Sequence, residues 1–374
     1  MRTAIVHYWL LGMRGGEKVV EALCQLLPDA DIFTLFYDPA RVSPIIRSHH
    51  VEASFLNPLR RHYRYLLPLM PVALEHLDLR EYDLVISSES GPAKGVITSS
   101  NTRHICYCHS PMRYLWDLYP AYLHEWTTSP LKRALIASLA NYLRMWDYAS
   151  ASRVDEFVAN SRNVQKRIWK CYRRTAQVLY PPVATGSFYN RPPEDYYLAV
   201  SELVSYKRLD DAVRCCSRTG RKLKLVGDGP AHRSLKRIAG PEIEFCGRVS
   251  ASELRGLYAR CRALIHPGEE DFGIVAVEAM ASGKPVIALG RGGVLESVPA
   301  ASPRGGFFYS YPGDTHLQRA VEQFEREELR ISSSALMSFA QKFSEENFAS
   351  QMENLLATSM SFDYSCVDPV AANV

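Results

Sequence analysis

Two carboxylates, Glu270 and Glu278, lie eight residues apart in the segment "GEEDFGIVAVEAMASGKP" at 268–285. A pair of carboxyl groups can hydrolyse a glycosidic bond when the two lie roughly 5–9.5 Å apart. Here a helix is predicted to begin between them, and eight helical residues would separate them by about 12 Å of rise. The spacing therefore disfavours a hydrolase and favours two contacts with different ends of one extended ligand. The backbone N–H groups of Gly273 and Ile274, at the helix start, would point at negative charge between the two carboxylates.

Other candidates follow predicted strands of the first half. The first strand runs into "LLGMRGGEKVVEAL" (10–23), where Gly15 and Gly16 would let backbone N–H groups approach an anion at a helix start. The segment matches neither the dinucleotide-binding nor the P-loop pattern, and a tight turn without a ligand stays an open alternative. His109 ends the strand "HICYCH", where an imidazole could hydrogen-bond a sugar hydroxyl or a developing charge, although a structural histidine is equally compatible with this pattern.

A third group of candidates opens the second half. In "YYLAVSELVSYKRLDDAV" (196–213) a strand leads into a helix, and Lys207 and Arg208 lie where that helix would begin. Two cations near the carboxyl edge of a sheet could meet a diphosphate. Surface charge without a ligand is the alternative at this position.

The elements that must position these residues repeat a simple order. Short apolar, β-branched runs alternate with longer segments of helical period, which predicts parallel sheets with right-handed crossovers and helices on both faces. We expect strands at 3–8, 31–37, 84–88, 104–109 and 157–160 in the first half, and at 196–201, 222–229, 243–249, 263–268 and 285–290 in the second. The proline-rich segment 179–197 indicates a linker between two domains. A last amphipathic helical segment, 335–360, is long enough to cross back to the first domain, and a tail without a clear pattern follows.

Composition excludes several classes of protein. With 374 residues and a net charge of +4, the chain is long enough for two cores and too weakly basic to indicate a nucleic-acid partner. Its nine scattered cysteines are typical of reduced thiols. No apolar run reaches 18 residues, and the N-terminal segment is interpreted as a strand instead of a signal peptide. The only D-x-D, at 29–31, precedes a strand at the wrong edge for a donor site, so no metal site is predicted.

Taken together, these segments resemble the retaining GT-B glycosyltransferases of family 4, also called glycosyl transferases group 1. The E-x7-E element of that family occurs here as Glu270 to Glu278, and shorter likenesses are "VANS", "YPPV", "YKRLD", "VGDGP" and "GRVS". In the first half, "GMRGGEKV" and "CHSPMRYLWD" are similar to mannosyltransferases of bacterial O-antigen and exopolysaccharide assembly. The resemblance covers nearly the whole chain.

This resemblance implies two Rossmann-like doubly wound domains facing a cleft. The N-terminal domain, 1–184, would bind the acceptor, and the C-terminal domain, 185–345, would bind a nucleotide sugar. Residues 346–374 would form a helix that braces the N-terminal domain, followed by a tail.

The resemblance also implies roles for the candidates of the second half. Glu270 would contact the hydroxyls of the donor sugar, and Glu278 would contact the ribose of the nucleotide. Gly273, Ile274 and Lys207 would face the diphosphate.

In the first half, Gly15 and Gly16 would border the diphosphate from the other domain, and His109 would lie near the donor sugar. The leaving phosphate of such enzymes is thought to help deprotonate the acceptor, so no protein nucleophile is assigned. No metal and no cofactor are expected, the donor is a nucleotide sugar with GDP-mannose favoured, and the acceptor is a lipid-linked saccharide.

One residue departs from the family pattern. Many members carry an arginine five residues before the lysine, and here that position is Glu202. A carboxylate beside a diphosphate would repel it, so we expect Arg14 or Arg208 to supply the missing positive charge.

Two basic segments, 58–66 and 130–175, lie near apolar residues such as Leu66, Leu67 and Leu69. They could rest on anionic lipid and reach the acceptor, which predicts a cytoplasmic protein at the inner face of the membrane; a solvated basic face is the alternative.

Two further functions stay open at this point. They are a nucleotide-sugar epimerase of the same fold and a non-catalytic nucleotide-sugar-binding protein.

Overall fold

The computed structural model describes residues 1–126 and 129–360, and these residues form two compact units. The first unit comprises 1–159, 167–179 and the described residues from 346 onward, and the second comprises 160–166 and 180–345. The chain passes between the units four times, and one of these passages, between 179 and 180, falls inside the predicted linker 179–197. The predicted C-terminal tail lies outside the described residues.

The first unit contains a parallel sheet of seven strands in the order β3-β2-β1-β4-β5-β6-β7. Its strands are β1 (Thr3–His7), β2 (Asp31–Thr34), β3 (Val51–Ala53), β4 (Leu84–Glu89), β5 (Arg103–Cys108), β6 (Glu156–Ala159) and β7 (Ala176–Val178). Because the chain builds outward from β1 in both directions, β1 and β4 are neighbours although they are far apart in sequence.

Helices cover the faces of this sheet. They are α1 (Gly15–Leu26), α2 (Pro44–Ser48), α3 (Met70–Glu75), α4 (Tyr119–Trp126), α5 (Pro130–Ser150) and α6 (Arg162–Tyr172), which begins in the second unit. A 3₁₀ segment spans Asn57–Leu69. Leu66 and Leu67 of this segment are partly buried against the core, whereas Leu69 is exposed, so Leu69 is the most accessible of the three leucines that could face lipid.

The second unit contains a parallel sheet of six strands in the order β10-β9-β8-β11-β12-β13. Its strands are β8 (Tyr197–Val200), β9 (Leu223–Val226), β10 (Ile243–Gly247), β11 (Leu264–His266), β12 (Val286–Leu289) and β13 (Gly306–Tyr309). Its helices are α7 (Leu209–Thr219), α8 (His232–Ile238), α9 (Ala251–Arg260), α10 (Ile274–Ala281), α11 (Val294–Ser297), α12 (Asp314–Glu327) and α13 (Ser333–Ala340). Alternate residues of the strands feed two apolar clusters, one on each face of the sheet.

The C-terminal segment returns to the first unit, as predicted. Helix α14 (Glu345–Met360) places Phe348 and Met352 in the same core cluster as Ile5 and Tyr107. The predicted segment 335–360 is interrupted, because a 3₁₀ turn at Gln341–Phe343 separates α13 from α14. Among the described residues, no helix combines the length and the apolar character that a membrane crossing requires.

All ten strands predicted from the sequence are present. The three that were missed, β3, β7 and β13, each lie at the edge of a sheet. Two of them, β3 and β7, are only three residues long with a polar residue at the centre, so they carry no continuous apolar run. The third, β13, is apolar and largely buried but only four residues long.

Candidate active site

The strand order creates one special position in each sheet. In the first unit it lies between β1 and β4, and in the second unit between β8 and β11, where successive crossovers leave in opposite directions. Ligands of open parallel α/β sheets bind beyond the carboxyl ends of the strands at this position. The predicted site residues of each unit cluster there.

In the second unit, two loops pack backbone against backbone beyond β8 and β11. A Cβ atom on Gly268 would lie 3.0 Å from the Cα and carbonyl oxygen of Lys207, so only glycine allows this approach without a shift. The loop after β12 packs against the loop that carries Glu270. There Gly292 has φ +75°, a Cβ on it would lie 2.4 Å from the carbonyl oxygen of Glu270, and Gly293 N–H donates to that oxygen at 2.8 Å.

This packing brings Lys207 to Glu270. The Lys207 Nζ lies 2.6 Å from Glu270 Oε1, and the two side chains are only 17% and 20% exposed. Burial disfavours the charged ammonium and by itself would lower the pKa of Lys207. The attraction of the Glu270 carboxylate outweighs this effect, so the pKa of Lys207 is raised. The pair therefore presents a charged ammonium and a carboxylate to a partly enclosed site.

His266 joins this pair, although sequence reasoning did not select it. Its Nε2 lies 3.8 Å from Glu270 Oε1, the ring is buried, and Nε2 has no hydrogen-bond partner among the described residues. Burial lowers the pKa of His266, so the imidazole is neutral near pH 7. Its position at the carboxyl end of a predicted strand was the signal that could have identified it.

Helix α10 begins beside the same group. Gly273 caps it with φ +89°, and Ile274 is the first helical residue, which is the helix start that the sequence predicts. A Cβ on Gly273 would lie 3.8 Å from His266 Nε2, so the start of the helix lies near the unpaired imidazole nitrogen. Unpaired N–H groups at such a helix start favour an anion.

Glu278 lies further along α10 and is buried. The Tyr258 hydroxyl, on α9, donates a 2.9 Å hydrogen bond to Glu278 Oε2. Glu270 before the helix and Glu278 within it thus occupy the separate positions that their spacing predicts. Tyr258 was missed, because nothing in the sequence pairs α9 with α10.

Arg208 is held close to α7. It has φ +54° at the helix N-terminus, and its guanidinium contacts the Asp211 carboxylate at 2.8 Å. Asp211 also accepts a hydrogen bond from Gly313 N–H. The positive charge of Arg208 is therefore partly neutralised within its own helix, and its role opposite Glu202 stays a prediction.

In the first unit, Gly15 and Gly16 form the first turn of α1 instead of the turn before it. A Cβ on Gly16 would lie 2.9 Å from the Tyr8 hydroxyl and 3.3 Å from the Cε1 atom of His7, so the helix start packs directly on β1 and the residue after it. Arg14 precedes the helix, and its N–H donates to the Glu17 carboxylate at 3.0 Å. Close packing already accounts for the glycine at 16, and a ligand role for Gly15 and Gly16 stays a prediction.

His109 follows β5 and is connected to β4 and β1. Ser88 Oγ lies 2.9 Å from His109 Nε2 and 3.1 Å from His7 Nδ1. Burial lowers the pKa of His109 to about 4, and burial together with the neighbouring His109 lowers the pKa of His7 well below its usual value. His109 is therefore a neutral imidazole fixed by a serine hydroxyl.

A buried ion cluster fixes the end of β4. Lys94 Nζ contacts Glu89 Oε1 at 3.2 Å and also pairs with Asp147 of α5, and these three side chains are buried. Trp116 Nε1 donates to Asp147 at 2.7 Å. Because Glu89 O also accepts the His109 N–H at 2.7 Å, this cluster anchors the backbone of the candidate histidine.

Two family models match the chain over most of its length. A model described as "Glycosyltransferase Family 4" matches residues 13–186, and a model described as "Glycosyl transferases group 1" matches residues 188–345. The chain belongs to the family 4 glycosyltransferases. This membership confirms the resemblance stated from the sequence.

Curated relatives of this glycosyltransferase include mannosyltransferases. The O-antigen chain mannosyltransferase RfbU of Salmonella typhimurium is 26% identical over 58% of the chain and 64% of RfbU. A GDP-mannose-dependent alpha-mannosyltransferase of Mycolicibacterium smegmatis is 35% identical over 26% of each protein. The chain spans less than two thirds of the length of the first curated relatives that it matches.

The fold of this glycosyltransferase is shared with solved structures. The crystal structure of Anabaena Alr3699/HepE in complex with UDP-glucose superposes with a TM-score of 0.70, at 16% identity, over 96% of this chain and 100% of that one. The similarity confirms the predicted architecture of two Rossmann-like parallel-sheet domains, known as GT-B.

Proposed function

We propose that this glycosyltransferase transfers a hexose from a nucleotide sugar to a lipid-linked saccharide with retention of the anomeric configuration. The favoured donor is GDP-mannose, and the product would serve cell-surface polysaccharide biosynthesis. The observation that carries the proposal is the partly buried Lys207–Glu270 pair at the carboxyl ends of β8 and β11, beside the start of α10.

Each group of the second-unit site suits one part of such a donor. Lys207 and the N–H groups of Gly273 and Ile274 would stabilise the negative charge that develops on the leaving diphosphate. Glu270 would accept hydrogen bonds from hydroxyls of the transferred sugar, and Glu278 would accept them from the ribose. The assigned roles leave the deprotonation of the acceptor to the leaving phosphate, and no protein nucleophile is needed.

In the first unit, we propose that His109 contacts the transferred sugar. Its neutral ring can exchange a hydrogen bond with a hydroxyl without carrying a charge of its own. The names of two relatives, RfbU and the GDP-mannose-dependent enzyme, support mannose as the sugar. The UDP-glucose complex of a structural neighbour is the reason to test other donors as well.

A lipid-linked acceptor requires access to a membrane surface, and α5 offers a suitable face. Its buried side is opposite to a stripe of apolar side chains that are 37–81% exposed, namely Leu131, Leu135, Leu139, Tyr142 and Met145. These residues repeat at helical spacing, and Lys132 and Arg133 flank them. We propose that this stripe rests on an anionic membrane at its cytoplasmic face.

Liposome co-sedimentation tests the membrane contact. We expect binding to vesicles that contain anionic lipid, weaker binding after Leu131→Ser with Leu135→Ser, and unchanged binding after Leu329→Ser, a fully exposed leucine in the second unit. Binding that does not depend on anionic lipid would contradict the proposal.

A panel of nucleotide sugars tests the reaction, with and without a lipid-linked acceptor. We expect sugar transfer from GDP-mannose only when the acceptor is present. An epimer formed without acceptor would favour an epimerase, and donor binding without turnover would favour a binding protein. Glu270→Gln should abolish transfer, whereas Glu269→Gln, one residue earlier in the same loop, should retain it.

A further inference from the structure

Three side chains of the first unit form a hydrogen-bonded chain at the carboxyl ends of β1, β4 and β5. His7 Nδ1, Ser88 Oγ and His109 Nε2 are joined by contacts of 3.1 and 2.9 Å. His7 and Ser88 have no exposed surface. No role that we assign to the second-unit site uses His7 or Ser88.

The Ser88 hydroxyl contacts these two imidazole nitrogens and no other hydrogen-bonding group among the described residues. If both nitrogens donated to its oxygen, its buried hydrogen would have no acceptor. Two arrangements are left. In each, the oxygen accepts a hydrogen bond from one nitrogen, and the single hydrogen is donated to the other. Both rings are neutral near pH 7 because burial lowers the pKa of each, so each ring carries one N–H. Either His7 or His109 must therefore be the donor to Ser88.

The far nitrogen of His7 distinguishes the two arrangements. His7 Nε2 is buried and has no hydrogen-bond partner among the described residues. If His109 donated to Ser88, His7 would carry its hydrogen on Nε2 and bury an N–H group without an acceptor. If His7 donates through Nδ1, its Nε2 carries only a lone pair. Buried N–H groups without an acceptor are rarer in proteins than buried acceptors without a donor, so this arrangement is favoured.

We propose that His7 and Ser88 are positioning residues that hold His109 in the tautomer with its hydrogen on Nδ1. In this arrangement His7 Nδ1–H donates to Ser88, and the Ser88 hydroxyl donates to His109 Nε2. His109 then meets a ligand through Nδ1 as a hydrogen-bond donor and not as a proton acceptor. The contribution to turnover rests on the proposed function, but the tautomer itself does not.

The packing around His7 explains why this chain stays fixed. Gly16, at the start of α1, approaches His7 Cε1 so closely that a Cβ atom would lie 3.3 Å from it. The rings of Tyr8 and Tyr107 pack on His7 and His109 at centroid distances of 4.1 and 5.2 Å. With the rings enclosed in this way, rotation that would exchange the nitrogens is hindered.

The tautomer is measured directly by ¹H–¹⁵N correlation NMR on the full chain labelled with ¹⁵N-histidine. The His109 signals are assigned by their loss in His109→Gln. We expect an N–H signal from Nδ1 and an unprotonated signal from Nε2. Protonation of Nε2 in the unaltered protein would overturn the proposal, whether or not any nucleotide sugar is turned over.

Variants of His7 separate positioning from packing. The Asn side-chain amide can replace the Nδ1–H donor, so His7→Asn should keep the His109 tautomer, whereas the apolar His7→Leu should release it. Ser88→Ala should release it as well, without adding volume. With a donor that supports turnover, we expect His7→Leu and Ser88→Ala to lower kcat about tenfold with little change in KM, and His7→Asn to restore it. Equal losses in His7→Asn and His7→Leu would show that His7 only fills space.

Discussion

The Lys207–Glu270 pair predicts that stability and activity respond differently to the same substitutions. Lys207→Met removes the cation that lies 2.6 Å from the Glu270 carboxylate, and Glu270→Gln removes the charge of its partner. Each single substitution leaves one charge in a site where little solvent reaches it. The double substitution removes both charges and keeps similar volumes.

The size of the effect follows from the distance and the burial. For unit charges 2.6 Å apart, Coulomb's law gives about 6 kcal/mol at an effective dielectric constant of roughly 20. Desolvation offsets most of this attraction, and loss of one partner costs about 3–5 kcal/mol in fully buried pairs. Since these side chains are 17% and 20% exposed, we expect about 2 kcal/mol for each single substitution. The double variant should also lose about 2 kcal/mol, so the coupling energy is about 2 kcal/mol.

Urea unfolding measures this cycle. Far-UV circular dichroism follows both units, whereas all five tryptophans fall within the residue ranges of the first unit, so their fluorescence serves as an internal control. A matched cycle on the exposed pair Lys222–Asp195, at 3.2 Å with side chains 64% and 73% exposed, should show a coupling below about 0.5 kcal/mol. Additive losses in the Lys207–Glu270 cycle would refute the electrostatic reasoning. Transfer activity at the unaltered level in the double variant would refute the assignment of this pair to the reaction.

Three further predictions concern the other parts of the two sites. Tyr258→Phe removes the hydroxyl that donates to the buried Glu278 carboxylate. A hydrogen bond to a charged group contributes about 1.5–3 kcal/mol, so the affinity for the donor should fall about tenfold in isothermal titration. Unchanged affinity would contradict the role of Glu278. Gly16→Ala should lower the free energy of unfolding by about 1–3 kcal/mol in urea titration, because its Cβ would lie 2.9 Å from a tyrosine hydroxyl, whereas Gly12→Ala, with open space around it, should be neutral. Burial lowers the pKa of His109 to about 4 in the folded protein. The unfolded chain therefore binds a proton at this histidine at a higher pH than the folded chain does. As a result, the free energy of unfolding falls as the pH drops below about 6.5. His109→Gln should therefore reduce the loss of unfolding free energy between pH 7.5 and 5 by about 2 kcal/mol, and an equal loss in both proteins would show that His109 does not contribute.

Local sequence patterns predicted the elements that carry each site but not the contacts within them. The alternation of apolar runs and helical segments located ten strands, and it placed Glu270 before α10 and Glu278 within it. Gly15 and Gly16 changed position, from a turn to the first turn of α1. The three missed strands are only three or four residues long, which is too short to leave a periodic signal.

The sequence by itself determined the fold class, the family and the ends of strands at which chemistry is expected, because these depend on periodicity and on short motifs. Only the tertiary structure decided which side chains meet. Lys207 and Glu270 pair because β8 lies beside β11, and His7, Ser88 and His109 join because β1, β4 and β5 are neighbours. Strand order is set by how whole helices and sheets bury their apolar faces, and no local pattern records which strand ends become neighbours.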